Sequence, residues 1–139
     1  MSDFTVRAAN TSDITVLTKH DRHVSADALS KKIADGEIYV VYGGGAFVGW
    51  LRYGLFWDNT PFMNMLYVLD GYRGKGIGKK LTLFWEKEMK ARGYKTLMTS
   101  TQQNETAQHF YTHLGYRSVG GFMQRSGEYE IIFEKNIGD

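Results

Sequence analysis

Phe62-Met63-Asn64-Met65-Leu66-Tyr67-Val68-Leu69 runs directly into Asp70-Gly71-Tyr72-Arg73-Gly74-Lys75-Gly76-Ile77-Gly78-Lys79. The first segment is a nearly continuous apolar run, as expected of a strand buried on both faces. Beyond the glycines, the apolar positions Ile77, Leu81, Phe84, Trp85 and Met89 follow helical spacing, and Gly93 ends the segment. A glycine loop between a buried strand and a helix is where unpaired main-chain N–H groups and the helix dipole favour phosphate. Glycines let the backbone approach such a group without a Cβ in the way. Arg73, Lys75, Lys79 and Lys80 add positive charge at the same place. Two familiar phosphate loops are excluded by register. In a P-loop aligned on Gly78-Lys79, Arg73 would occupy the first glycine and Lys80 the Ser/Thr. A dinucleotide fingerprint would need glycine at Lys79 or Leu81.

Working outward, Lys95 to Thr101 reads as a second strand, so that strand, long helix and strand form a βαβ unit with parallel neighbours. A shorter helix begins at Asn104, carries the stripe Ala107, Phe110, Tyr111 and Leu114, and stops at Gly115. Tyr116 to Met123 and Tyr129 to Glu134 close the chain as an antiparallel pair. Upstream, Phe4 to Ala8 is a short strand, and Asp13 to Lys19 and Ala26 to Ala34 are helical, with Asp13 and Ser25 as N-caps and Gly36 as a stop. Ile38 to Tyr42 and Ala46 to Tyr53, joined by Gly43-Gly44-Gly45, form a hairpin. Phe56-Trp57-Asp58-Asn59-Thr60-Pro61 reads as a turn whose aromatics are partly exposed.

The chain has 139 residues, 42% of them hydrophobic, and a single proline, which points to one globular domain over 1–139. The start, Met1-Ser2-Asp3-Phe4-Thr5-Val6-Arg7, lacks an apolar signal core, and no stretch reaches the ~20 apolar residues of a membrane span. A soluble, cytoplasmic protein without a membrane partner is expected. Zero cysteines exclude a disulfide scaffold, a thiolate zinc site and a cysteine nucleophile. His109 and His113 stand i, i+4 on one helix but lack the glutamate of a zincin and a third ligand, so no metal is expected. Net charge is only +2, yet the eight basic residues between Gly71 and Lys95, set against Glu86 and Glu88, give that segment +6. Those two glutamates interrupt the patch and no nucleic-acid motif accompanies it, which argues against a nucleic-acid partner.

Taken together, these residues resemble the GNAT superfamily of N-acetyltransferases. Its signature [RQ]-x-x-G-x-[GA], after a strand and opening a helix, is met by Arg73, Gly76 and Gly78. The later Asn104-x-x-Ala107-x-x-Phe110-Tyr111-x-x-x-Gly115-Tyr116 stands at the family's order and spacing, so the likeness covers roughly Phe62 to Tyr116. The resemblance implies an α/β fold with a mixed, mostly antiparallel central sheet and a parallel βαβ core that binds acetyl-CoA. It implies that the strands Phe62 to Leu69 and Lys95 to Thr101 splay apart, with the pantetheine arm held along Val68 and Leu69. The N–H of Leu66 or its neighbour would polarise the thioester carbonyl. The amides of Arg73, Gly74, Lys75, Gly76, Ile77, Gly78 and Lys79 would bind the pyrophosphate. Asn104, a helix cap on its own account, would add a hydrogen bond to the arm. Tyr111 would touch the cofactor and act as the acid that protonates the departing thiolate. On its residue type alone, Tyr111 also suits the apolar stripe of its helix.

An amine attacking a thioester builds negative charge on oxygen and expels a thiolate, so an amide donor and an acid are what the chemistry asks for. The base is harder to find. Many relatives carry Glu or Asp at or near Asn64, and asparagine accepts no proton at neutral pH. Asp58, His23 and Glu130 are the remaining guesses. His20-Asp21-Arg22-His23 lies where relatives contact the acceptor, and Trp50, Tyr53, Phe56 and Trp57 are either core or pocket wall. The resemblance also allows a homodimer. The alternative function is a CoA-binding sensor or regulatory module that keeps the fold without catalysis.

Overall fold

The computed structural model describes residues 3–103 and 105–138. Among the described residues seven strands and four α-helices follow in the order β1 (Phe4–Ala8), α1 (Ile14–His20), α2 (Ala26–Ala34), β2 (Ile38–Gly43), β3 (Ala46–Phe56), β4 (Thr60–Val68), α3 (Ile77–Ala91), β5 (Thr96–Gln102), α4 (Ala107–His113), β6 (Arg117–Met123) and β7 (Tyr129–Asn136). The strands follow the order β1-β2-β3-β4-β5-β7-β6 in one sheet. Pairing is antiparallel for β1/β2, β2/β3, β5/β7 and β7/β6. It is parallel for β4/β5, the two strands joined through α3. The terminal pair predicted from sequence is present, but β7 also pairs with β5, so the last strand in sequence lies inside β6.

Two compact units make up the chain, Met1–Tyr53 with Met65–Trp85, and Gly54–Asn64 with Glu86–Asp139. In the first, Ala9, Leu17, Leu29, Ile33, Ile38, Val40 and Trp50 form a buried cluster. Each large apolar side chain so buried contributes about 1.5–3 kcal/mol. Leu29 and Ile33, four apart on α2, supply one helical face to it. Ser25 starts that helix as expected, its Oγ accepting from the N–H of Ala28 at 3.1 Å. The expected cap at Asp13 is different. Asn10 caps a short 3₁₀ turn (Thr11–Asp13) that precedes α1, and Asp13 makes no side-chain cap bond to α1 itself. Its carboxylate instead accepts from the Asn10 N–H, from both Arg7 Nη atoms and from the Tyr42 hydroxyl. A carboxylate offered a guanidinium fork and a phenol has stronger partners than the amides of the next turn.

In the second unit Tyr111 stands edge-on to Tyr116 and tilted against Phe133, with ring centroids 5.8 and 6.0 Å away. The buried Glu86 accepts from the Tyr116 hydroxyl at 2.8 Å and from Lys135 Nζ at 2.9 Å. Both carboxylate oxygens are therefore engaged, which is the condition for keeping a charge inside. Burial and this neighbouring carboxylate push the Tyr116 phenol far above its ordinary range.

The apolar run in β4 overstates burial. Pro61 and Met63 are buried, whereas Asn64 and Tyr67 are exposed. Full burial is confined to Pro61 and Met63, which share one face of the first half; in the second half Met65, Tyr67 and Leu69 line an open pocket.

Candidate functional site

The loop after β4 is tied down at its start by Leu69 N–H to Val48 O at 2.9 Å and Tyr72 N–H to Leu69 O at 3.1 Å. Gly74 and Gly76 both have φ of +78°, and a Cβ at either would meet nothing within 4 Å. Glycine is thus required here for the left-handed backbone rather than for room. The Lys80 N–H reaches Gly76 O at 3.0 Å and closes the first turn of α3. The amides just before it open the helix and have no carbonyl within it to bond. A preceding loop turned through positive φ and a helix opening make a cradle of main-chain donors suited to a diphosphate.

The four cations of this segment divide. Arg73 turns back onto its own strand, Nε donating to Val68 O at 2.9 Å, with the guanidinium 5.0 Å over the Tyr67 ring and 3.4 Å from Asp70. Lys80 Nζ donates to Phe4 O at 2.6 Å. Lys75 and Lys79 are exposed beside the cradle.

In the second unit the β4/β5 ladder has two registered pairs among the described residues, Phe62↔Met98 and Met63↔Thr99. The next residues along, Asn64 and Ser100, are no longer paired. At this fork Thr99 Oγ donates to Met63 O at 3.0 Å. The phenol of Tyr111, which is 6% exposed, lies close to the Thr99 side chain. Burial raises the Tyr111 phenol above its ordinary 10.0, with Thr99 offsetting part of the rise, so it is protonated at neutral pH. Thr99 was not expected from sequence. Its signal is a hydroxyl residue in an inward position of β5, between the buried Leu97 and Thr101. Asn104 lies outside the described residues.

The first unit holds a pocket of about 490 Å³ lined by His20, Arg22, His23, Trp50, Met65, Tyr67, Leu69 and Asp70. Its α1–α2 rim is fixed by Asp21, whose fully buried carboxylate accepts from Arg52 Nε at 2.7 Å, Arg52 Nη2 at 3.2 Å and Trp50 Nε1 at 3.1 Å. An arginine in the apolar, aromatic run of β3 was the available sign that a carboxylate must meet it. His20 stacks on Phe47 at 5.4 Å and tilts against Trp50 at 6.2 Å. Burial, then the charges of Lys19 and Arg22, lower its pKa from the ordinary 6.5.

The residues considered for the base and for the pocket wall separate clearly. His23 lines the pocket. Asp58 sits exposed in the β3–β4 turn at φ +63°. Glu130 accepts from Ser100 Oγ at 2.7 Å and Gln124 Nε2 at 2.8 Å, so both its oxygens are bonded. Of the aromatics, Trp50 reaches the pocket while otherwise buried, Tyr53 is core, Phe56 stacks on Phe62, and Trp57 is 80% exposed. His113 Nδ1 faces His109 O at 3.0 Å, within their own helix.

The first unit carries a cradle of amides at the opening of α3, and the second carries a buried tyrosine beside the end of the β4/β5 ladder. The profile of the Acetyltransferase (GNAT) family matches residues 8–116, and the chain belongs to that family. Among solved structures, an N-acetyltransferase from Staphylococcus aureus Mu50 superposes with a TM-score of 0.85 at 20% identity, covering 99% of this chain and 100% of the other. A GNAT-family acetyltransferase from Bacillus cereus ATCC 10987 gives 0.80 at 22% identity, covering 96% of each. The PaiA N-acetyltransferase of Thermoplasma acidophilum, solved in complex with coenzyme A, gives 0.78 at 18% identity, covering 98% of this chain and 99% of that one. These likenesses show the shared fold. No curated protein sequence matches the chain. No helix among the described residues is long and apolar enough to cross a membrane.

Proposed function

We propose that residues 1–139 act as one N-acetyltransferase domain that moves the acetyl group of acetyl-CoA directly onto an amine. The observation that carries this reading is the fork of β4 and β5, where the ladder stops at Met63↔Thr99 and the protonated Tyr111 phenol waits beside Thr99. A β4 backbone released from strand pairing can pair with the amides of a pantetheine arm, and Val68 and Leu69 are the residues assigned to hold it. The amides from Arg73 to Lys79 take the pyrophosphate, with Lys75 and Lys79 as the charges beside them. Gly74, Gly76, Ile77 and Gly78 contribute main-chain contacts.

As the amine attacks, charge grows on the thioester oxygen, and the Leu66 N–H is the donor assigned to it. The C–S bond then breaks and the thiolate takes the phenol proton of Tyr111. A thiol of ordinary pKa ~8.5 is a stronger acid than this tyrosine, so the transfer is uphill in equilibrium acidity and is completed when solvent restores the phenol.

Titration calorimetry with acetyl-CoA, followed by thiol release in the presence of an amine panel, tests the proposal. Saturable binding and amine-dependent thiol release are expected. A folded protein that takes up neither CoA nor acetyl-CoA would refute it.

A further inference from the structure

The chain offers no carboxylate at Asn64 to deprotonate the acceptor, and the geometry of the first unit points to a different group. We propose that the imidazole of His20 takes the proton from the acceptor nitrogen, and that the acceptors are weakly basic α-amines. This rests on the transferase reading above.

Position is the first argument. His20 lines the 490 Å³ pocket together with Met65 and Tyr67, the two neighbours of Leu66 on β4. The residue assigned to the thioester oxygen is therefore flanked by side chains that share a pocket with this imidazole. Its ring is oriented by stacking on Phe47 and by the tilt against Trp50. The segment carrying it is anchored one residue later by Asp21 on Arg52 and Trp50.

Charge is the second. The groups around His20 are Lys19, Arg22 and His23 on its own segment and Asp70 on the far wall. Asp21, the carboxylate next to it in sequence, is saturated by Arg52 and Trp50 and points into the protein. Asp70 lies 3.4 Å from the Arg73 guanidinium. Burial and the neighbouring cations Lys19 and Arg22 favour the neutral imidazole. At neutral pH it is an open proton acceptor.

The same argument selects the amine. A base weaker than ordinary histidine cannot strip a lysine-like ammonium, whose deprotonation at pH 7 costs roughly 4.6 kcal/mol, whereas an α-amine near pKa ~7.8 costs roughly 1 kcal/mol. The α-amine reaches the pocket largely through its own neutral fraction. Its lone pair forms the N–C bond, the nitrogen becomes cationic, and its proton passes to His20 as the tetrahedral centre collapses. The C–S bond breaks, the thiolate gains the Tyr111 proton, and solvent carries the imidazolium proton away and restores the phenol. The sum is amine plus thioester giving amide plus thiol.

The test uses glycinamide, methioninamide and phenylalaninamide as α-amines and Nα-acetyl-lysinamide as the strongly basic control, with thiol release from acetyl-CoA as readout. His20→Gln removes the base, and His20→Phe removes it while keeping a ring on Phe47. The wild type should prefer at least one α-amide over the lysine derivative by tenfold or more in kcat/KM. Its kcat, measured at saturating amine, should fall on an acid limb below 6.5. Both variants should lose that limb and about 100-fold in kcat, with the Kd for acetyl-CoA within twofold of wild type. An acid limb and kcat retained in either folded variant would overturn the assignment. So would a protein that binds acetyl-CoA but acetylates none of the α-amines. Absence of acetyl-CoA binding is a separate result, which removes the transferase reading itself.

Discussion

Arg52 holds Asp21 through two bonds, Nε at 2.7 Å and Nη2 at 3.2 Å, with the arginine 7% and the aspartate 0% exposed at their side chains. Removing one partner of such a pair leaves a buried charge without compensation. Arg52→Met should therefore cost about 3–5 kcal/mol of unfolding free energy, measured by urea denaturation. The double replacement Asp21→Leu with Arg52→Met should recover part of that loss, because neither charge then remains.

Tyr111→Phe keeps the ring against Tyr116 and Phe133 and deletes only the hydroxyl beside Thr99. If the phenol protonates the leaving thiolate, kcat should fall by about 10²-fold while the calorimetric Kd for acetyl-CoA stays within a factor of three. Equal turnover in the variant would reduce Tyr111 to a packing residue.

Gly76→Ala places a Cβ in open space but holds it at φ +78°. The expected stability loss is about 1 kcal/mol, set by the left-handed backbone alone. Acetyl-CoA affinity should fall at least tenfold, since relaxation of this residue swings the neighbouring amides out of the cradle. A Kd unchanged from wild type would detach the loop from diphosphate binding.

Asp13 yields a pH prediction. Burial pushes its carboxyl upward, but the bonds from Arg7, the Asn10 amide and Tyr42 outweigh this and leave the pKa below 3.8. A depressed carboxyl stabilises the fold above its unfolded pKa and loses that contribution as the pH falls through the folded value. Thermal stability should thus decline as the pH is lowered below about 4, and Asp13→Asn should flatten that part of the curve while lowering stability at neutral pH. A wild-type profile parallel to that of the variant would contradict the assignment.

The elements were legible because local signals agreed with one another. Ser25 before an amphipathic segment, the glycines after Tyr42, and the Ile77, Leu81, Trp85 and Met89 spacing each point to the element observed. The order and spacing of Arg73, Gly76, Gly78 and Tyr111 likewise carried the family. What sequence hid were relationships across the chain. Asp13 reads as a helix cap until the partners on β1 and β2 are known, because capping residues and ion-pair residues are the same type. Lys80 looks like a phosphate ligand, yet its ammonium is spent on the Phe4 carbonyl 76 residues away. His20 sits in a stretch of alternating charges with no periodicity, and only the fold reveals that aromatic rings enclose it.

β6 is the outermost strand of the sheet and every one of its residues is exposed, Phe122 by 51% and Met123 by 65%. Its register with β7 slips between Ser118 and Gly120, and Gly120 takes φ of +139°. The rim is therefore crooked. An approaching β-chain would find donors and acceptors at uneven intervals, so this greasy margin is a poor seed for fibrillar growth despite its composition.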